Sequence, residues 1–191
     1  MNKLTADPSA LEPRYTAVAM ILHWVLALAI LTAFAVGLYL DEMPLSPAKL
    51  KLINWHKWAG ISILLLSAIR LAWRLISPPP ALPGRILRLM PRWQQLAHHG
   101  THHLMYLLFF IVPLAGWAYS SAKGYPIVWF GVLPLPDLVA PNKELAEVFK
   151  ELHEVAAFGL IGLVGLHVAA VIKHQLIDKD GLLNRMRPGR S

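Results

Sequence analysis

The sequence contains no cysteine among its 191 residues. That absence excludes disulfide bonds, iron–sulfur clusters, thiolate metal sites and the C-x-x-C-H attachment of a covalently bound haem. Any haem in this protein must therefore be held non-covalently, through donors such as histidine or methionine.

Charged residues are also scarce. They make up 15% of the chain, against 56% hydrophobic residues, and the mean hydropathy is +0.49. This composition is typical of an integral membrane protein. The connections between apolar stretches are short and rich in proline, as at 77–80 and 133–136. Because they leave no room for a soluble catalytic domain, we expect residues 1–191 to form a single membrane domain.

Four apolar stretches reach the length of about 20 residues that a bilayer-spanning helix needs. They cover about residues 18–40, 56–76, 103–121 and 153–172. The first is too long for a signal peptide and lacks the small-residue cleavage pattern, so we interpret it as a retained span. The sequence therefore predicts an all-α integral membrane protein, a four-transmembrane-helix bundle.

The arginines predict the orientation. All nine fall on the side that holds the termini and the second loop: Arg14, Arg70, Arg74, Arg85, Arg88, Arg92, Arg185, Arg187 and Arg190. By the positive-inside rule both termini are then cytoplasmic. The net charge of +7 thus indicates membrane orientation rather than nucleic-acid binding. We expect the basic stretch 185–190 to anchor to anionic lipid.

Two histidines, His153 and His167, lie at either end of one uncharged apolar run. Fourteen residues is close to four helical turns, so both rings leave the same face, about 21 Å apart along the axis. Two such side chains on one membrane helix indicate two cofactor layers, one near each side of the bilayer.

Depth in the membrane pairs these histidines with two others. His23 comes early in the first span, near the cytoplasmic side, and His56 opens the second span at the external side. His56 therefore pairs with His153, and His23 with His167. Each pair offers two axial nitrogens to one iron, as in a low-spin b-type haem, and neutral imidazole brings no charge to bury. The predicted metal ligands are His23, His56, His153 and His167.

The same spacing of fourteen residues leads from His23 to Gly37 and from His56 to Arg70. Gly37 offers a side-chain-free patch at the outer layer, and Gly60, one turn after His56, lets a porphyrin face approach the backbone. Arg70 is suited to pair with a haem propionate near the inner layer. Alternatively, it extends toward the cytoplasmic headgroups.

A cluster of histidines precedes the third span, at His98, His99, His102 and His103. It looks like a metal site, but it has no carboxylate or cysteine nearby in sequence. We therefore do not expect it to bind zinc.

Several segments resemble the bacterial cytochrome b561 family over about residues 14–188. They are ILHW (21–24), HKWAGIS (56–62), RL (70–71), HHLMYLL (102–108), WFG (129–131) and GLH (165–167). The four predicted ligands fall on the family's ligand positions. The main departure is His98 and His103, which stand beside the matching His99 and His102.

Within the family, the chain is most similar to small four-helix members with two haems b. The resemblance implies an enzyme of the bacterial inner membrane, a superoxide:ubiquinone oxidoreductase that takes electrons from superoxide at the periplasmic face and passes them to ubiquinone. It also implies that His174 lies where the quinone binds. Proton transfer by His174 would suit quinone reduction.

Superoxide is a small anion, so cationic side chains near the outer haem would raise its rate of encounter. Lys57, Lys123 and Lys150 are the expected cations. Alternatively, they only neutralise nearby glutamates: Glu144, Glu147, Glu151 and Glu154.

Two other functions remain open. One is a cytochrome b electron-transfer subunit that passes electrons from a partner dehydrogenase or hydrogenase to quinone. The other is a non-redox metal transporter that uses the histidines. The short loops favour a self-contained enzyme that requires no protein partner.

Overall fold

The computed structural model describes residues 14–187, apart from residues 83, 85 and 87–89 and the side chains of residues 98 and 99. Over this range, four α-helices are long and apolar enough to cross a membrane. They are α1 (Ala17–Glu42), α2 (Pro47–Ile76), α3 (Arg92–Ala122) and α4 (Lys143–Lys173). The prediction of a four-helix membrane bundle is confirmed.

Polar caps begin three of the helices. The side chain of Thr16 accepts from the backbone N–H of Ala19 at the start of α1. Ser46 caps α2 in the same way, with Pro47 at the first helical position, and Asn142 caps α4. Such side chains satisfy backbone donors that have no partner within the helix. These caps therefore define helix starts that hydropathy does not show.

Three helices begin well before the predicted spans. The prediction that His56 opens the second helix is wrong, because α2 begins at Pro47. Likewise α3 begins at Arg92 and α4 at Lys143, not near 103 and 153. Hydropathy marks only the apolar part of a helix, whose length matches the bilayer. These three helices extend further than that part at their N-terminal ends. His56 and His153 consequently lie inside continuous helices rather than at frayed ends.

All four helices meet in one buried cluster midway along the bundle. It consists of Leu26, Ile30, Ile63, Met105 and Leu160. Leu160 lies seven residues from both His153 and His167, and so about two turns from each. The apolar cluster therefore separates two polar levels. Many outward-facing residues stay exposed, such as Leu28 at 69%, which suits contact with lipid.

A short hairpin connects α3 to α4. Its strands are β1 (Val128–Trp129) and β2 (Leu133–Pro134), paired antiparallel. Phe130 and Gly131 between them have φ of +51° and +73°, so two consecutive residues of this turn adopt left-handed backbone conformations. A phenylalanine rarely adopts this left-handed backbone conformation, so contacts with neighbouring residues must stabilise the turn.

Two indole groups fasten the hairpin to α2. The Nε1 of Trp58 donates to the carbonyl of Val128 at 2.6 Å, and the Nε1 of Trp129 donates to the Ser62 hydroxyl at 3.3 Å. The Phe130 ring also packs against Trp58, with centroids 5.6 Å apart. We call this end of the bundle the outer end.

The N- and C-terminal segments meet at the opposite, inner end. After α4 come a π-helical turn (His174–Asp178) and a 3₁₀ turn (Leu182–Arg185). Arg185 is only 4% exposed, and its guanidinium donates to the carbonyls of Pro80 and Ala81 at 3.0 and 2.9 Å. The expectation that Arg185 anchors to lipid is therefore wrong, because its charge is used inside the protein. Arg85, Arg88 and Arg190 lie outside the described residues.

Candidate haem-binding sites

The structure brings His56 of α2 and His153 of α4 together near the outer end. Their ring centroids are 6.1 Å apart, with planes at 86°. The Nδ1 of His153 lies 2.8 Å from the carbonyl of Val112. A carbonyl only accepts, so Nδ1 carries the proton and Nε2 keeps its lone pair. This tautomer is the one that leaves Nε2 available to a metal.

Two glycines face these outer rings. A Cβ placed on Gly37 would lie 3.4 Å from Cε1 of His56, and one on Gly116 would lie 3.0 Å from both Nδ1 and Cε1 of His153. Gly37 is thus beside the outer pair, at the level that its spacing predicted. Gly116 was missed, because nothing in its local sequence distinguishes it from other glycines of apolar helices. Gly60 has open space around its Cβ direction, and its role stays a prediction.

His23 of α1 and His167 of α4 form the corresponding inner pair. Their centroids are 6.3 Å apart, with planes at 63°. His102 of α3 packs edge-on against His167 at a centroid distance of 5.2 Å. The histidines that precede the third predicted span all lie within α3, and the side chains of His98 and His99 lie outside the described residues.

Both pairs have the separation that a shared metal would require. An imidazole nitrogen binds a first-row transition metal at about 2 Å, which places two ring centres on opposite sides of one ion roughly 6 Å apart. The outer and inner pairs match this distance. The His102–His167 contact is too short for it, so His102 does not stand opposite His167 across an ion.

Arg70 lies beside the inner pair, half-buried. Its guanidinium donates to the Tyr106 hydroxyl and the Ala19 carbonyl, both at 3.1 Å, and one nitrogen lies 3.3 Å from Nδ1 of His23. Because a guanidinium only donates, His23 Nδ1 accepts in this arrangement. If Nε2 of a neutral His23 binds a metal ion, the proton of the ring is on Nδ1. Arg70 can then no longer donate to Nδ1 and would turn to another acceptor.

A family model described as prokaryotic cytochrome b561 matches residues 14–189. The chain belongs to this family. It is therefore an electron-transfer membrane protein of the b561 class, and membership implies haem b. The two imidazole pairs fit such a group, since non-covalent binding through histidine needs no cysteine.

Three curated relatives show how far the similarity extends. Cytochrome b561 homolog 2 of Escherichia coli (strain K12) is 33% identical over 174 residues, covering 91% of this chain and 90% of that protein. The probable superoxide oxidase CybB of Yersinia pestis is 31% identical over 180 residues, covering 93% and 98%. Cytochrome b561 homolog 1 of Escherichia coli (strain K12) is 29% identical over 187 residues, again covering 93% and 98%.

His174, just beyond α4, lies between two carboxylates. Its Nδ1 is 2.6 Å from Oδ2 of Asp180 and 3.1 Å from Oδ2 of Asp178. The three donor groups are close enough to hold a metal ion, but the Lys173 ammonium already occupies Asp178 Oδ2 at 2.6 Å. We therefore interpret the cluster as a hydrogen-bonded network in which Asp180 orients the His174 ring.

The three predicted steering lysines lie at the outer end in different surroundings. Lys123 pairs with Glu147 at 3.1 Å and Lys150 with Glu154 at 3.5 Å. The hydrogen bond to Glu147 raises the pKa of Lys123. Lys57 instead donates to the carbonyl of Tyr125 at 3.2 Å, which leaves its charge unneutralised by that contact. The geometry thus favours the alternative interpretation for Lys123 and Lys150, and leaves Lys57 as the best candidate for steering.

Proposed function

We propose that this protein binds two haems b and is a superoxide:ubiquinone oxidoreductase of the bacterial inner membrane. The observation that carries the proposal is the presence of two imidazole pairs at two levels of the bundle, one on either side of the apolar core. In each pair the distance between ring centroids is the one that a shared metal ion would require. The name of the Yersinia pestis relative supports superoxide as the electron donor.

His23 and His167 would hold the inner haem, and His56 and His153 the outer one. When bound, the two haems supply one-electron transfer across the membrane. Two superoxide ions release two electrons and leave as dioxygen, and one ubiquinone takes up two electrons and two protons to become the quinol. Arg70 would pair with an inner propionate, which supplies the acceptor that it needs when His23 binds iron.

Lys57 would attract superoxide to the outer end. It follows the proposed ligand His56 directly and is half-buried. Replacing it with Gln should slow reduction of the haems by superoxide and flatten the dependence of this rate on salt. Lys143, at the exposed start of α4 on the same side, is the matched control. Equal rates and salt slopes in K57Q, K143Q and the wild type would exclude steering by Lys57.

His174 would deliver protons to the quinone at the inner end. Asp180 fixes Nδ1–H of its ring, so Nε2 is the atom that takes up a proton from cytoplasmic water and passes it on. His174→Ala should slow reoxidation of the haems by quinone and leave both haem spectra intact. Unchanged quinone kinetics would remove His174 from the site.

The decisive experiment uses the purified protein without any partner. Superoxide should reduce its haems, and added ubiquinone should reoxidise them. If superoxide leaves the haems oxidised while a chemical reductant reduces them, the protein takes its electrons from a partner dehydrogenase or hydrogenase instead. A purified protein without a bis-histidine haem spectrum would contradict both functions and favour metal transport.

A further inference from the structure

The ring of His153 rests on the backbone of α3. Its Nδ1 lies 2.8 Å from the carbonyl of Val112, which belongs to a helix that carries none of the four proposed ligands. Hydrogen bonds of this kind on the second ring nitrogen orient a metal-binding histidine and increase the basicity of the other nitrogen.

This contact depends on the absence of a side chain one turn further along α3. A Cβ on Gly116 would lie 3.0 Å from both Nδ1 and Cε1 of His153. That contact is tighter than nearly all contacts of real Cβ atoms, so a side chain at residue 116 would require the His153 ring to shift by a few tenths of an ångström and would disturb its hydrogen bond to the Val112 carbonyl. The seat of His153 therefore consists of one carbonyl and one glycine, both on α3.

We propose that Gly116 is a positioning residue, which lets His153 donate to the Val112 carbonyl and thereby lowers the midpoint potential of the outer haem. The inference rests on the proposed ligation of that haem by His56 and His153. A ring that donates from Nδ1 gives more electron density to iron through Nε2, and this stabilises the oxidised form.

The first test is Gly116→Ala in the purified, haem-loaded protein. The potential of the outer haem, identified as the one missing from His56→Ala, should rise in a redox titration, and its affinity should fall by about 10- to 100-fold. The inner haem should keep its potential. Gly162→Ala is the matched control, because it lies nine residues from His153, on the opposite face of α4, with open space around its Cβ direction. Unchanged outer potential and affinity in Gly116→Ala would overturn the proposal.

A second test does not require a side chain at residue 116. In His153→Gly, added imidazole should restore the outer haem at its low potential, since its N–H can donate to the Val112 carbonyl. 1-Methylimidazole has no N–H and should give a higher potential. Equal shifts from the wild type with both ligands would overturn the proposal. Two bis-histidine haems in His153→Gly without added ligand would instead overturn the ligand assignment itself, and this inference with it.

Discussion

At the scale of single residues, the partner of one ring nitrogen decides what the other can do. His153 donates to a carbonyl, so its second nitrogen is ready for iron. Nδ1 of His23 instead faces the guanidinium of Arg70. Arg70 would have to move to another acceptor before Nδ1 of His23 could carry the proton and leave Nε2 free for iron. The distances between ring centroids distinguish the proposed ligands from other nearby histidines. His102 is too close to His167 for the two rings to bind one metal ion from opposite sides.

Replacing any one proposed ligand with alanine should remove one haem. His56→Ala or His153→Ala should lose the outer haem, and His23→Ala or His167→Ala the inner one, so haem content falls by about half, from two per chain to one. The haem content per protein, with the optical spectrum, measures this. His102→Ala is the control and should keep both haems. A full complement in any of the four ligand variants would contradict the pairing.

At the scale of elements, α3 supports the sites although it supplies none of the four proposed ligands. Val112 and Gly116 face the outer pair, and His102 and Tyr106 face the inner one. The hairpin after α3 is likewise fastened to α2, the helix that carries His56. Contacts made by the third helix and its loop therefore determine how the ligand-bearing helices are held.

Removing the indole N–H of Trp58 should loosen this hairpin. Trp58→Phe keeps a ring against Phe130 but loses the donor to Val128, at a cost of about 1 kcal/mol. Protease cleavage within residues 125–141 should become faster, while the inner haem spectrum stays the same. Trp93→Phe, at a tryptophan that is 66% exposed, is the control. Equal cleavage rates in both variants would show that the Trp58 bond does not hold the hairpin.

At the scale of the whole molecule, the chain closes on itself at the inner end. The carbonyl of Arg185 accepts from the backbone N–H of Tyr15, and Trp24 donates to the carbonyl of Met186. With the contacts from Arg185 to Pro80 and Ala81, the C-terminal segment joins α1 to the connection after α2. These hydrogen bonds therefore connect separate parts of the chain at the inner end of the bundle, close to the inner histidine pair.

Arg185→Ala should destabilise the protein by leaving two carbonyls without their donor. The expected loss is about 1–3 kcal/mol, seen as a lower midpoint in thermal unfolding of the detergent-solubilised protein. Arg187→Ala, at an exposed position of the same segment, should unfold at the wild-type temperature. If both variants unfold together with the wild type, the buried guanidinium does not contribute to stability.

The sequence alone was sufficient for properties that depend on position along a helix. Hydropathy located four spans, and depth within those spans placed His23 level with His167 and His56 level with His153, while the spacing of fourteen residues put His153 and His167 on two separate levels, because depth follows directly from the rise per residue. It also placed Gly37 at the level of the outer rings. The helix starts were missed for α2, α3 and α4, since their first residues are not apolar.

The tertiary structure decided which side chains meet across helices. The seat of His153 on Val112 and Gly116, the partners of Arg70, the pairing of Lys123 with Glu147, and the burial of Arg185 are all contacts of this kind. Each depends on how one helix is rotated about its axis and placed against another. The periodicity within a single helix does not contain that rotation, because it arises only when four helices pack around a shared core.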